Sequence, residues 1–123
     1  MTYCIGILLD EGVVLASDSR TNAGIDRVST FRKMFSFDKP GERFFTLVTA
    51  GNLSLTQGVV SLMTEWLNNE NPEQDLYAVT SMFGAARVVG NALREVHKVD
   101  AGYLQQQEVD FSASFILAGQ LKG

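Results

Sequence analysis

The hydrophobic positions of the first fifty residues follow the pattern of β-strands. The run TYCIGILL is rich in β-branched and aromatic residues and ends at the turn signal Asp10-Glu11-Gly12. Because VVLASDS follows this turn, the two runs predict a β-hairpin. After a polar segment with a turn signal at Asn22-Ala23-Gly24, the runs MFSFD and FFTLVTA predict two further strands, separated by KPGER. This part of the chain is therefore predicted to form a β-meander.

The spacing of apolar residues changes from a strand pattern to a helix pattern at Gly51. A first helix is predicted to begin at the capping-box pair Ser54 and Gln57. A second helix is predicted to begin near Pro72, a residue suited to a first helical position, and to end near residue 98. The polar stretch HKVDAGYLQQQEVD is then predicted to connect it to a strand at residues 111–118. The expected apolar stripe of the second helix is Leu76, Val79, Phe83, Ala86, Val89, Leu93 and Val96.

The order of these elements, strands followed by two helices and a renewed strand, favours a layered α+β fold. In such a fold the helix pair covers one face of a sheet. The last strand needs partners, and the helix layer implies further sheet after it. Residues 1–123 are therefore predicted to be the N-terminal part, about half, of a single larger domain.

Composition and charge narrow the class of protein. The chain has 123 residues, of which 46% are hydrophobic and 20% charged, and a formal net charge of −4. Its ten scattered basic residues speak against nucleic acid or an anionic membrane as a partner. No apolar stretch reaches the roughly 18 residues that span a bilayer, and no signal peptide is visible. With a single cysteine, Cys4, the chain is predicted to be cytoplasmic.

Several common kinds of catalytic site lack their residues. His97 is the single histidine, and no motif supplies partners for a triad, so a surface histidine is expected. Cys4 lies in an apolar strand and is expected to be a small core residue. The segment AGNLSLTQG lacks the Gly-Lys-Ser/Thr of a phosphate-binding loop. Since neither a cysteine pair nor a histidine pair exists, no zinc site is predicted.

Thr2, Asp18 and Lys33 remain as chemical candidates. If Met1 is removed, Thr2 carries both a hydroxyl nucleophile and a free α-amine, whose ordinary pKa of about 7.7–8.0 suits a general base. A lysine nearby would lower the pKa of that amine, and an aspartate would hold the lysine charged and oriented. The spacing alone leaves an alternative open, in which Asp18-Ser19-Arg20 is a strand-end turn and Arg32-Lys33 is a solvated charge pair.

The order of these motifs resembles that of a known superfamily. A threonine at the head of a strand, then SDSRTNAG, FRKMF and TAGNLS leading into a helix, resembles the proteasome β-subunit superfamily of N-terminal nucleophile hydrolases. The sequence TYCIGILLDEGVVLASDSRTNAGID, together with STFRKM, is most similar to the Anbu-type bacterial proteasome-like peptidases. The resemblance covers essentially all 123 residues.

The resemblance implies roles for individual residues. Thr2 would be the nucleophile and, through its amine, the general base, while Asp18 and Lys33 would be the pair that activates it. The backbone N–H of Gly51 would contribute to the oxyanion hole. Arg20 would be a structural residue beside the site. Substrate-binding positions would be Thr21, whose main chain would align the substrate as an added strand, and the pocket residues Phe31, Thr49 and Leu53.

The resemblance also implies a fold and an activity. The fold would be a four-layer αββα sandwich, with residues 1–123 as its first half. The function would be that of a threonine peptidase that cleaves a peptide or unfolded protein without a cofactor or metal, after loss of Met1. Two alternatives stay open: a non-catalytic assembly subunit, and an amidohydrolase acting on a small amide. A homo-oligomer, either a ring or an open helical array, is expected, and an ATP-dependent unfoldase as a partner is left open.

Overall fold

The structure is a computed structural model, and it describes residues 3–22, 28–106 and 113–121. These residues form a mixed α+β fold with seven strands and two helices. Thr2, the turn residues Ala23 and Gly24, and the polar connector from residue 107 onward lie outside the described residues. The elements are β1 (Cys4–Leu9), β2 (Gly12–Ser17), β3 (Arg20–Asn22), β4 (Val28–Thr30), β5 (Met34–Lys39), β6 (Arg43–Gly51), α1 (Leu53–Glu65), α2 (Met82–Gln106) and β7 (Ala113–Leu121).

The described strands pair in antiparallel fashion. The predicted hairpin of β1 and β2 is confirmed, with a register that runs from Cys4 opposite Ser17 to Leu9 opposite Gly12. The prediction of one continuous meander is wrong, because the described strands form three sheets: β1–β2, β3–β4 and β5–β6–β7. The chain leaves the first sheet at Asp18, directly after β2. The side chain of Asp18 pairs with Lys33.

Strand β6 is the centre of the three-stranded sheet. Its five consecutive residues Phe45–Thr49 are buried, as expected for a strand covered on both faces. Strand β7 returns beside it from far along the chain, with Thr49 opposite Phe115 and Gly51 opposite Ala113. The predicted final strand is therefore paired, although its observed end is Leu121 and not residue 118.

Helix α1 has its N-cap two residues before Ser54, the predicted cap. The N-cap is Asn52, whose backbone is extended and whose side-chain oxygen accepts a hydrogen bond from the N–H of Leu55 at 3.0 Å. The predicted capping box of Ser54 and Gln57 is thus wrong, since Ser54 is already inside the helix. An asparagine satisfies a free N–H group of the first turn as well as a serine does.

Helix α2 begins at Met82, about ten residues after the predicted start at Pro72. The preceding residues form turns, because the carboxylate of Asp75 accepts from the N–H of Tyr77 at 2.9 Å and the side chain of Asn71 accepts from Glu73 at 3.0 Å. The helix also continues to Gln106, beyond its predicted end near residue 98.

The turn segment, residues 66–81, contains no helix or strand. Hydrogen bonds to its backbone and from Tyr77 hold it to the sheet. The guanidinium of Arg43, at the start of β6, donates to the carbonyl of Leu76 at 3.1 Å and to that of Val79. The hydroxyl of Tyr77 donates to the carbonyl of Asp38 at 3.1 Å. Leu76 is completely buried. Leu76 and Val79 therefore belong to the core, as predicted, although not as part of a helix.

The helix pair packs on one face of the β5–β6–β7 sheet, as the order of elements predicted. The two helices approach closely at Gly58, where an added Cβ would lie 3.1 Å from Cγ1 of Val96. The predicted stripe of α2 is rotated, since Phe83 is exposed and Ala86 lies outside the core. The buried residues of this core are Phe37, Phe45, Leu47, Leu55, Val59, Met63, Leu76, Val79, Ala85, Val88, Val89, Ala92 and Val96.

The β1–β2 hairpin covers the opposite face of the same sheet. An added Cβ at Gly6 would meet Cγ2 of Ile116 in β7 at 3.7 Å, which marks the inward side of the hairpin. The side chains that alternate with Gly6 point away from the sheet. They form the outer face of the hairpin, which is apolar and about half exposed or more: Tyr3, Ile5, Ile7, Leu9 and Val14. Among the described residues, α1 and α2 both lack the combination of length and apolar character that a bilayer-spanning helix needs.

Candidate active site

The structure brings Asp18 and Lys33 together. Asp18 directly follows β2, Lys33 directly precedes β5, and the ammonium Nζ donates to the carboxylate Oδ1 at 2.8 Å. The side chain of Lys33 is only 7% exposed, whereas that of Asp18 is 28% exposed. Lys33 is therefore not part of a solvated charge pair with Arg32, the alternative that the spacing left open. Arg32 is exposed and lies over the ring of Phe35 instead.

The hydrogen bond from Lys33 favours the ionised form of Asp18. The hydrogen bond from Lys33 Nζ lowers the pKa of the Asp18 carboxyl below its ordinary value of 3.8, and a backbone hydrogen bond from Tyr3 lowers it further. Partial burial of the carboxyl acts in the opposite direction and is outweighed. At neutral pH the site therefore holds an ion pair, with the carboxylate orienting the ammonium.

The backbone next to Thr2 is attached to this pair. Tyr3, the residue that follows Thr2 in the chain, accepts a hydrogen bond from the N–H of Asp18 through its carbonyl oxygen at 3.1 Å. Tyr3 thus contacts Asp18 on both its main chain and its carboxylate. Thr2 itself lies outside the described residues.

Cys4 lies beside the ion pair as a half-buried thiol. Its Sγ donates to the carbonyl oxygen of Thr49 at 3.6 Å. Burial raises the pKa of the Cys4 thiol, the carboxylate of Asp18 raises it further, and the nearby charge of Lys33 lowers it. Since a raised pKa keeps the sulfur protonated, Cys4 is a poor nucleophile here, in agreement with its expected role as a small packing residue.

Gly51 is the last residue of β6 and directly precedes the N-cap of α1. Its φ of +107° lies in the left-handed region that side chains other than glycine rarely adopt. The residue is exposed. A glycine is therefore required by the backbone at this junction, whatever its chemical role.

The substrate-binding candidates lie in different surroundings. Thr21 lies in β3 opposite Ser29, and Arg20 lies in the same strand opposite Thr30. Phe31 is half-buried and its N–H donates to the carbonyl of Ser19 at 2.7 Å. Leu53, also half-buried, is the first residue of α1.

Thr49 contacts one residue of the ion pair, Lys33, directly. It is 3% exposed, and both its N–H and its hydroxyl donate to the carbonyl oxygen of Lys33, at 2.8 Å and 3.3 Å. Asp18, Lys33, Thr49 and Cys4 thus form one connected cluster. Sequence reasoning missed the contacts of Tyr3 and Cys4 within it, and the only signal for them was their position directly after Thr2.

Other chemical groups lie apart from this cluster. His97 is exposed on α2, as expected of a surface histidine. A cavity of about 650 Å³ between the tip of the β1–β2 hairpin and the sheet is lined by residues such as Leu8, Leu15 and Phe44, and does not include Asp18 or Lys33. Within the described part of the chain, no group of three or more His, Cys, Asp and Glu side chains is placed to hold a metal ion.

Comparison with known structures shows close similarity to Anbu proteins. The whole chain matches Anbu from the helical assembly of the Pseudomonas aeruginosa complex, with 41% identity and a TM-score of 0.89. It also matches a Gly-1 mutant of Anbu from Hyphomicrobium sp. strain MC1 and Anbu, described as an ancestral beta-subunit, from Yersinia bercovieri, each with 41% identity and a TM-score of 0.85.

The chain spans about half the length of these structures, namely 49%, 48% and 49% in the same order. No protein-family model matches the chain, and none of the curated proteins does.

Proposed function

We propose that this chain, which belongs to the Anbu-type proteasome-like proteins, carries the nucleophile of a threonine peptidase. The resemblance that its sequence motifs indicated is confirmed over the whole length of the chain. Solved Anbu structures are similar to this chain in both sequence and fold. The activity, the substrate and the partners of the whole protein are proposals, since the chain spans about half of those structures.

The observation that supports this function best is the Asp18–Lys33 ion pair beside Tyr3. Tyr3 is covalently bonded to Thr2, and its carbonyl accepts from the N–H of Asp18 at 3.1 Å. The buried ammonium of Lys33 would therefore lie close to the residue proposed as nucleophile. Such a fixed positive charge favours a neutral α-amine and stabilises a developing alkoxide, which is what an N-terminal threonine needs.

The proposed reaction has two steps. In the first step the Thr2 hydroxyl attacks the peptide carbonyl while the α-amine of Thr2 takes the hydroxyl proton. The α-amine passes this proton to the leaving amine of the substrate, and the acyl group stays on Thr2 as an ester. Water then hydrolyses the ester and restores the hydroxyl. The N–H of Gly51 is proposed to stabilise the oxyanion of each tetrahedral intermediate. Thr21, Phe31 and Leu53 are proposed to bind the substrate.

We further propose that the described layers are part of a four-layer αββα sandwich. The helix pair, the β5–β6–β7 sheet and the β1–β2 hairpin would be three of the layers. Further chain would then cover the exposed apolar outer face of the hairpin. We also propose a homo-oligomer, because a similar protein from Pseudomonas aeruginosa forms a helical assembly. Cytoplasmic location and an unfoldase partner stay predictions of the sequence.

The test begins with the intact mass of the purified protein, which shows whether Met1 is removed. Peptide hydrolysis is then compared among the wild type, Thr2→Ala and Lys33→Ala, with Thr80→Ala, an exposed threonine of the turn segment, as the control. We expect both site variants to lose at least about a thousandfold in kcat, as removal of a nucleophile or its activating group does elsewhere.

Peptide hydrolysis by Thr2→Ala at the wild-type rate would overturn the assignment. Retention of Met1 on every molecule would leave the nitrogen of Thr2 as an amide, which is not a base. In that case the hypothesis that the protein is a non-catalytic assembly subunit becomes the better interpretation.

A further inference from the structure

Thr49 connects the strand that follows Thr2 with the backbone of Lys33. Its carbonyl oxygen accepts from the thiol of Cys4 in β1 at 3.6 Å. Its N–H and its hydroxyl both donate to the carbonyl oxygen of Lys33, at 2.8 Å and 3.3 Å. One residue of β6 therefore contacts both strand β1, which follows Thr2, and the backbone of Lys33.

The hydroxyl of Thr49 lies where an apolar group would be expected. Along β6, Phe45 and Leu47 face the helix-covered core, and Thr49 continues the same row because side chains alternate along a strand. Thr49 is 3% exposed, so its hydroxyl loses contact with water. Such a loss is unfavourable unless the group is hydrogen-bonded, and valine has nearly the same shape without the polar atom. The bond to the Lys33 carbonyl gives a reason for threonine at this position.

We propose that Thr49 is a positioning residue, which fixes the backbone of Lys33 so that its ammonium stays on Asp18 and at a constant distance from strand β1. Lys33 lies directly before the first residue of β5, so a restraint on its backbone also fixes the point from which its side chain reaches Asp18. The two bonds from Thr49 supply that restraint. The kinetic consequence of this inference rests on the proposed peptidase function, whereas its structural consequence for Asp18 does not.

This role differs from the substrate-pocket role that the family resemblance implies for Thr49. With 3% of its surface exposed, Thr49 offers little area to a substrate side chain. A pocket residue changes KM, or the preference among substrates, when it is replaced. A positioning residue changes kcat for every substrate to the same extent, because it alters the geometry of the catalytic groups.

The experiment compares Thr49→Val, which keeps the shape and loses the hydroxyl, with Thr49→Ser, which keeps the hydroxyl. Thr46→Val is the matched control, since Thr46 is also buried in β6 but its hydroxyl contacts Ser36 at 3.4 Å. Two quantities are measured in the purified protein: kcat and KM for peptides that differ in the side chain before the scissile bond, and the pKa of the Asp18 carboxyl by ¹³C NMR. Thermal unfolding of each variant checks that it is folded.

For Thr49→Val we expect a loss of about five- to tenfold in kcat with unchanged KM for all peptides, the effect of roughly one hydrogen bond. We also expect the pKa of Asp18 to rise toward its ordinary value, while Lys33, Cys4 and the N-terminal amine, the titratable groups that act on Asp18, are kept in every variant. Thr49→Ser and Thr46→Val should match the wild type in both quantities.

An unchanged Asp18 pKa in Thr49→Val, together with a KM change that depends on the peptide, would overturn the inference in favour of the pocket role. If the wild type cleaves no peptide, the proposed function fails, and the pKa of Asp18 in the same variants still decides whether Thr49 positions Lys33.

Discussion

The ammonium of Lys33 is almost removed from water, while its partner Asp18 remains partly solvated. A buried ammonium is unfavourable without a partner, so the carboxylate is required once Lys33 is folded inward. The net contribution of such a partly exposed pair to stability is nevertheless small, because solvent screens it. The pair is therefore better understood as a device that orients an ammonium than as one that stabilises the fold.

Replacement of Lys33 by methionine should raise the pKa of Asp18 to its ordinary value of 3.8 or above, because the largest cause of its lowering is removed. In the wild type the pKa of Asp18 is lower in the folded than in the unfolded protein. Its contribution to stability is therefore present above pH 3.8 and is lost as the pH falls through the lowered pKa. The variant should lack this dependence.

Titration of the Asp18 carboxyl by NMR, with urea unfolding above and below pH 3.8, measures both effects. Lys39→Met is the matched control, because Lys39 is 44% exposed and pairs at 3.0 Å with Glu42. An Asp18 pKa as low in Lys33→Met as in the wild type would show that the lysine does not set it.

The ends of the strands beside them made a meeting of Asp18 and Lys33 possible, but their spacing alone left a solvated charge pair open, and the pairing was implied by the family resemblance. The contacts of Cys4 and Thr49 could not be predicted, since the two residues are 45 positions apart and meet only when the hairpin lies on β6. No local pattern specifies which residues of two non-neighbouring strands come into register.

The elements themselves differ in how well their sequences predict them. Strand β6 was predictable because its sequence contains the largely apolar run FFTLVTA. The start of α2 was not, because Asn71 and Asp75 bind nearby N–H groups and turn the chain at a place where Pro72 suits a helix start. The end of α2 was missed for another reason: residues 99–106, VDAGYLQQ, lack a regular apolar stripe and include Gly102, which is unfavourable inside a helix.

At Gly119, the pairing of β6 with β7 depends on the absence of a side chain. A Cβ there would collide with the carbonyl oxygen of Phe44 and would lie 2.6 Å from Cδ1 of Phe45. We expect Gly119→Ala to destabilise the fold by about 1–3 kcal/mol, the usual cost of overpacking. The free energy of unfolding in urea measures this loss.

Gly12→Ala is the control for Gly119→Ala, since nothing lies within 4 Å of an added Cβ at Gly12. An equal stability of the two variants would mean that β7 can move away from β6 without loss.

At the scale of the whole molecule, the outer face of the hairpin departs from an ordinary protein surface. Its five side chains are apolar and adjacent, and Tyr3 and Leu9 are 66% and 55% exposed. Contiguous apolar surface of this kind is normally covered by other protein.

The 123-residue chain on its own is therefore expected to associate in solution, as sedimentation velocity would show. The double variant Ile7→Lys, Val14→Glu should sediment as a monomer, because these residues face each other across the hairpin and would place an ion pair on the outer face. Val99→Lys, at a valine of α2 that is more exposed than Val14, should associate like the wild type. A monomeric wild type at high concentration would contradict the expectation.

The fastening of residues 66–81 by Arg43 has a consequence for the opening motions of the molecule. Turns normally exchange their amide hydrogens within the time of a local fluctuation. Here the N–H groups of Tyr77 and Val79 donate hydrogen bonds to Asp75. Carbonyl groups of the same segment accept hydrogen bonds from the guanidinium of Arg43 in the central strand β6. In deuterated water these amides should exchange as slowly as those in the middle of α1. This irregular segment would then open only when the sheet itself opens.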